Sequence, residues 1–114
     1  MAENIVFINV DEGSKRVMNN TKLYAKLLNK FKDDPSFGLL GEALEKSDMA
    51  SAQGLAHTLK GLAANLSLTE FYKQCVELEA QIKAGSVKPQ QVELFKTTHA
   101  QTVIEVDKVI VQYA

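Results

Sequence analysis

The chain has 114 residues, 13 basic and 14 acidic, for a formal charge of −1 at pH 7, with 46% apolar and 24% charged residues. That is one soluble domain, long enough to bury a core without staples and too short to add an ATP-binding kinase domain. The balance of charge argues against nucleic acid as the main partner, the single Cys75 excludes an internal disulfide and a cysteine zinc site, and no apolar run approaches the ~18 residues of a membrane span.

Residues 1–20 form a lead-in to a helical body at 21–114. The apolar patch runs from Ile5 to Val10, and its longest run, Ile5-Val6-Phe7-Ile8, is too short for a signal-peptide core and lacks a basic flank. It is read as an extended segment lying on the body, with Asp11-Glu12-Gly13-Ser14 able to start a short helix. From Thr21 the period is helical: Leu23, Tyr24, Leu27, Leu28 and Phe31 follow the i, i+3, i+4 rule. Asp33-Asp34-Pro35 interrupts, since the residue before proline is biased away from helix, and Phe37, Leu40 and Leu44 resume the pattern. Residues 21–46 are therefore one kinked helix or two collinear ones.

Ser47-Asp48 supplies an N-cap for a helix over about 49–65. Ser67-Leu68-Thr69-Glu70 has the form of a capping box, so the next helix should start at Leu68. Its apolar positions Leu68, Phe71, Cys75, Leu78 and Ile82 step 3, 4, 3, 4, the spacing of a bundle seam. Gly85 ends it, and Pro89 suits the first turn of a last helix. There Val92, Phe95, His99, Val103, Val106, Ile110 and Tyr113 share a face. The β-branched run Val103 to Val111 would also suit a strand, but the stripe is too long for one. The expected fold is all-α: an antiparallel up-down four-helix bundle with a short N-terminal lead-in. Ile104 and Val111 lie off the main stripe of the last helix, and Ile5 to Ile8 are expected to cover them, with a dimer interface as the rival reading.

The chemistry concentrates on helix 49–65. Its leucine stripe is Leu55, Leu59 and Leu62, continued by Leu66, and on a ~100° wheel His57 lies about 170° from the centre of that stripe. The imidazole thus points to solvent, among Ala50, Gln53, Gly54, Lys60, Gly61 and Ala64. Glycine costs about 1 kcal/mol inside a helix, and here two flank one histidine at i−3 and i+4. They would permit close approach by another macromolecule. A free imidazole titrates near ~6.5 and so offers a lone pair at pH 7. The ordinary alternative is a histidine on a solvated face, but such faces favour Glu, Lys and Gln over glycine.

Ala56-His57-Thr58-Leu59-Lys60-Gly61-Leu62-Ala63-Ala64-Asn65-Leu66, followed by Leu78-Glu79, resembles the signature of histidine-containing phosphotransfer (HPt) domains. Val10-Asp11 with Gly13 and Arg16, the stretch Leu23 to Phe31, and Ser47-Asp48 also fall where that family has them, so the resemblance covers about residues 8–85. Two departures stand out. Ser67 occupies a turn where the family usually has glycine, which the capping box would explain, and Leu62 is larger than the usual small residue.

The resemblance implies that His57 is the phosphoacceptor, that Lys60 balances charge on the phosphoryl group, and that Gly61 leaves room for the partner, with Gln53, Gly54 and Ala64 around the docking face. It implies a response-regulator receiver domain and a histidine or hybrid kinase as partners, with Mg²⁺ brought by the receiver and no cofactor of the chain's own. Phosphoryl transfer asks mainly for positioning and charge stabilisation, which a histidine and a cation one turn away can supply.

Glu79 has two readings: a carboxylate that accepts from the far nitrogen of His57 and fixes its tautomer, or one that simply reaches water. His99, inside an apolar stripe, reads as a core or boundary residue, and Cys75 as a small apolar filler. No metal site is expected, because His57 and Glu79 lack a third ligand, and no Gly-rich phosphate loop supports intrinsic kinase activity. The expectation is a free-standing, monomeric, cytoplasmic phosphorelay intermediate without enzymatic activity of its own. The alternative is a helical module that docks on receivers without carrying phosphate, which would need no imidazole.

Overall fold

The computed structural model describes residues 6–113; Met1, Ile5 and Ala114 of the sequence reading lie outside the described residues. Among the described residues there are six helices and no strand: α1 (Val10–Lys15), α2 (Thr21–Lys32), α3 (Ser36–Glu45), α4 (Met49–Asn65), α5 (Thr69–Ala84) and α6 (Pro89–Tyr113). None is long and apolar enough to cross a membrane.

Local chemistry sets the boundaries. Asn9 and Asn20 cap α1 and α2 by accepting from the backbone N–H groups of Glu12 (3.1 Å) and Leu23 (3.0 Å). Before Pro35 the helix stops, and the Asp34 side chain accepts from the Ser36 N–H at 2.8 Å to start the next one. The stretch 21–46 is therefore two helices. The break has a use: α2 packs against α6 while α3 packs against α4. One arm of the bundle thus serves two neighbours, and α4 against α5 and α5 against α6 complete the ring. The three connections after α3 are short, so successive arms run antiparallel. Leu28, Leu40, Leu59, Leu68, Phe71, Leu78 and Val106 form a fully buried centre, each side chain contributing about 1.5–3 kcal/mol. The last helix is unbroken through its β-branched run, and Thr102, fully buried there, donates its hydroxyl to the Thr98 carbonyl at 2.7 Å.

The capping-box expectation fails. Leu68 is the N-cap of α5 and has no side-chain cap bond. Ser67 sits in the left-handed region at φ 57°, a conformation that favours glycine. Its hydroxyl donates to Glu12 Oε1 at 2.7 Å and accepts from Arg16 Nη1 at 2.6 Å. Tertiary bonds, not a cap for α5, therefore account for the serine.

Arg16 also donates to the Ala64 carbonyl at 2.7 Å and the Asn65 carbonyl at 3.3 Å, covering orphan carbonyls at the end of α4. Beside it, Tyr24 is buried and donates to the Leu66 carbonyl at 2.6 Å. Gly13 lies against that ring; a Cβ there would stand 2.5 Å from the Tyr24 hydroxyl oxygen. The lead-in glycine and arginine thus brace the turn that ends the histidine helix.

The covering role expected of the lead-in is also corrected. Asn9 donates its backbone N–H to the Ser67 carbonyl at 2.9 Å, and Thr69 donates its hydroxyl to the Val6 carbonyl. The segment is tied to the α4–α5 turn, while Ile104 and Val111 on α6 stay 50% and 84% exposed. Backbone and hydroxyl partners at that turn, invisible to a count of apolar residues, decide where it lies.

Candidate functional site

Helix α4 starts as expected, with the Asp48 side chain accepting from the Ser51 N–H at 3.3 Å. The Ser51 hydroxyl beside it first, and this backbone bond second, hold the Asp48 carboxyl below its usual range. The buried face, however, is not the leucine stripe. Ala52, Ala56, Leu59 and Ala63 are buried, while Leu55 and Leu62 are only half-buried. On the ~100° wheel the buried centre therefore lies about 130° from His57 rather than 170°. The histidine is still outside, but turned toward α5.

The His57 side chain is 71% exposed, and its Nδ1 lies 3.3 Å from Glu79 Oε2 on α5. Glu79 itself is 3% exposed. Lys60 Nζ stands 2.6 Å from Glu79 Oε1, and Lys83 Nζ 3.6 Å from Oε2. The Lys60 contact, chief among these, holds the Glu79 carboxyl below the ordinary carboxylate range, and the same contact pushes the Lys60 ammonium up. Glu79 is therefore an anion that can only accept. Its contact with a neutral ring requires the Nδ1–H tautomer, which leaves the lone pair on Nε2.

Of the two readings of Glu79, the contact with His57 is the one the structure contains. Lys60, expected to balance charge on a phosphoryl group, is engaged here with that carboxylate. Lys83 was missed by the sequence reading; the available signal was its i+4 spacing from Glu79 on one helix.

Gly54 and Gly61 are surface positions, and a Cβ added at either would meet nothing within 4 Å. The bundle does not need them. Gln53 is exposed and Ala64 half-buried. Gly54 and Ala64 border two separate grooves. One of about 620 Å³ runs between α3 and α4 past Leu39, Gly54 and Thr58. Another of about 410 Å³ lies at the α4–α5 turn past Ala64, Leu68 and Tyr72.

His99 is remote from this chemistry. Its ring stacks on Phe37 with centroids 3.6 Å apart and planes at 9°, with Phe71 at 5.2 Å and Phe31 at 5.6 Å. Burial pushes the imidazole down from its ordinary 6.5 to about 4. Cys75 is fully buried, and burial raises its thiol to about 12. Among the described residues no group of three His, Cys, Asp or Glu is placed to hold a metal ion.

The family model of the Hpt domain matches residues 34–108, more than half of the chain. It begins later than the resemblance read from the residues and runs on into α6, and it includes His57, Lys60, Gly61 and Glu79. No curated protein and no solved structure gives a match.

Proposed function

The chain belongs to the Hpt domain family, whose members are histidine phosphotransfer modules of two-component systems rather than kinases, and from that premise we propose that it is a phosphorelay intermediate with His57 as phosphoacceptor. It takes a phosphoryl group from a receiver aspartyl phosphate, or from a histidine kinase, and passes it to a response-regulator receiver. The observation that carries this reading is an exposed imidazole whose Nδ1 faces a buried, ionised carboxylate at 3.3 Å.

The chemistry follows from that contact. The Nε2 lone pair attacks phosphorus; the N–P bond forms as the P–O bond to the donor aspartate breaks, and the aspartate leaves as a carboxylate. No proton has to depart. The Nδ1–H stays on the ring, which gains positive charge, and Glu79 accepts its hydrogen bond more strongly as that charge develops. Lys60, one turn from His57, offsets the charge on the phosphoryl oxygens. Open surface over Gly54 and Gly61 lets the receiver's acidic site approach in line. Mg²⁺ belongs to the receiver in this scheme, and the chain acts in the cytoplasm as a monomer.

A module that only docks on receivers would have no use for an oriented imidazole. The two readings separate on incubation with a phosphorylated receiver, followed by assay for acid-labile, base-stable phosphate on this chain. His57→Gln should abolish the label while leaving helicity and melting nearly unchanged, since an exposed side chain leaves no cavity. His99→Gln should keep the label and lose stability. Label persisting on the His57 variant would overturn the assignment.

A further inference from the structure

Glu79 is buried, yet three cationic or cationisable groups converge on it. Oε1 is taken by Lys60 at 2.6 Å. Oε2 faces both His57 Nδ1 at 3.3 Å and Lys83 Nζ at 3.6 Å. If Lys60 meets the phosphoryl oxygens during transfer, it must loosen its hold on Oε1. A buried carboxylate that loses its cation is strongly destabilised. Something else must hold Glu79 ionised at the moment its hydrogen bond to the ring matters most.

We propose that Lys83 is a positioning residue for the transfer: it closes onto Glu79 as Lys60 turns to the phosphoryl group, so that the carboxylate keeps a counter-cation and keeps its grip on Nδ1–H. The proposal rests on the reading of His57 as phosphoacceptor. Three observations place Lys83 in the role. It lies at i+4 from Glu79 on α5, the spacing at which side chains on one helix meet. At 3.6 Å it stands just outside direct hydrogen-bond reach, so a small rotamer change closes the gap. Its side chain is 55% exposed and has no other ion pair among the described residues, so nothing holds it back. An ionised carboxylate has about four acceptor positions, so Lys83 can close on Glu79 without displacing the ring.

The test uses the full chain and phosphoramidate as a small donor, with and without a receiver domain. Wild type, Lys83→Gln and Lys83→Arg are compared for the rate of His57 phosphorylation and for thermal unfolding. The expected result is a loss of about tenfold in rate for Lys83→Gln, a barrier increase of ~1.4 kcal/mol, with Lys83→Arg restored to within about twofold and melting temperatures alike. In parallel, NMR of the lysine side-chain methylene next to the ammonium should show Lys83 shifting and becoming ordered when wild type is phosphorylated. That change should be absent in Glu79→Gln. A wild-type rate in Lys83→Gln, or a Lys83 signal indifferent to phosphorylation, overturns the proposal while the phosphoacceptor reading stands. Should Lys83→Gln unfold, the wild-type NMR decides. Wild type that takes no phosphate on His57 from either donor overturns both.

Discussion

Replacing His99 by phenylalanine should flatten the acid side of the stability profile. The imidazole lies flat on Phe37, tilts against Phe31 and meets Phe71 edge-on, away from His57 and Glu79. Burial lowers it from 6.5 to about 4. The unfolded chain therefore takes up a proton near 6.5 and the folded chain only near 4. Between those values the unfolded state binds more protons, so stability falls as pH drops through 6.5 toward 4. The full interval corresponds to about 3 kcal/mol at ~1.36 kcal/mol per pH unit. The ring is partly open to water, and solvent screening reduces the expectation to about 1–2 kcal/mol. Urea unfolding followed by circular dichroism at pH 7, 6, 5 and 4.5 measures it in both proteins. The wild type should lose that much more than His99→Phe over this range, most of it above the carboxylate range. Parallel curves would refute the reasoning, because they would mean that the ring faces hold the imidazolium as well as water does.

The remaining expectations concern the brace and the open face. Tyr24→Phe leaves the Leu66 carbonyl without its 2.6 Å donor and should cost about 1–2 kcal/mol in urea unfolding; an unchanged midpoint would show that the bond adds nothing. Gly13→Ala should cost about 1–3 kcal/mol, since its Cβ would stand 2.5 Å from the Tyr24 hydroxyl oxygen; a stable variant would mean that the lead-in repositions freely. Gly61→Ala should gain up to about 1 kcal/mol, because its Cβ meets open space. Gly61→Glu should also fold, yet accept phosphate from a receiver far more slowly than from phosphoramidate. Equal loss with both donors would assign the glycine to the chemistry rather than to docking.

The sequence by itself determined the bundle and singled out the exposed histidine. Apolar residues at helical spacing can be buried only by packing helix on helix, and this alone sets Leu28, Leu59, Phe71, Leu78 and Val106 in the core. Asp48 at the head of α4 and Gly85, at φ 70°, at the end of α5 were legible for the same reason: helix ends have local chemistry that local sequence supplies. The exposed His57 between two glycines stood out because glycine is costly in a helix and nothing in the pattern required it there.

Tertiary structure alone decided the rest. Whether Ser67 caps a helix or turns a left-handed corner depends on Glu12 and Arg16, more than 50 residues away along the chain. The lead-in follows the Ser67 carbonyl and the Thr69 hydroxyl rather than the bare apolar residues of α6. How far His57 turns toward α5 was set by which face of α4 the packing buries: Ala52, Ala56 and Ala63 go inside while Leu55 and Leu62 stay half-buried, which a wheel weighted by hydrophobicity ranks the other way. That rotation brings Glu79, Lys60 and Lys83 together around the imidazole. A carboxylate on one helix and a histidine on another share no period in sequence, and only the packed distance between two helices makes them a site.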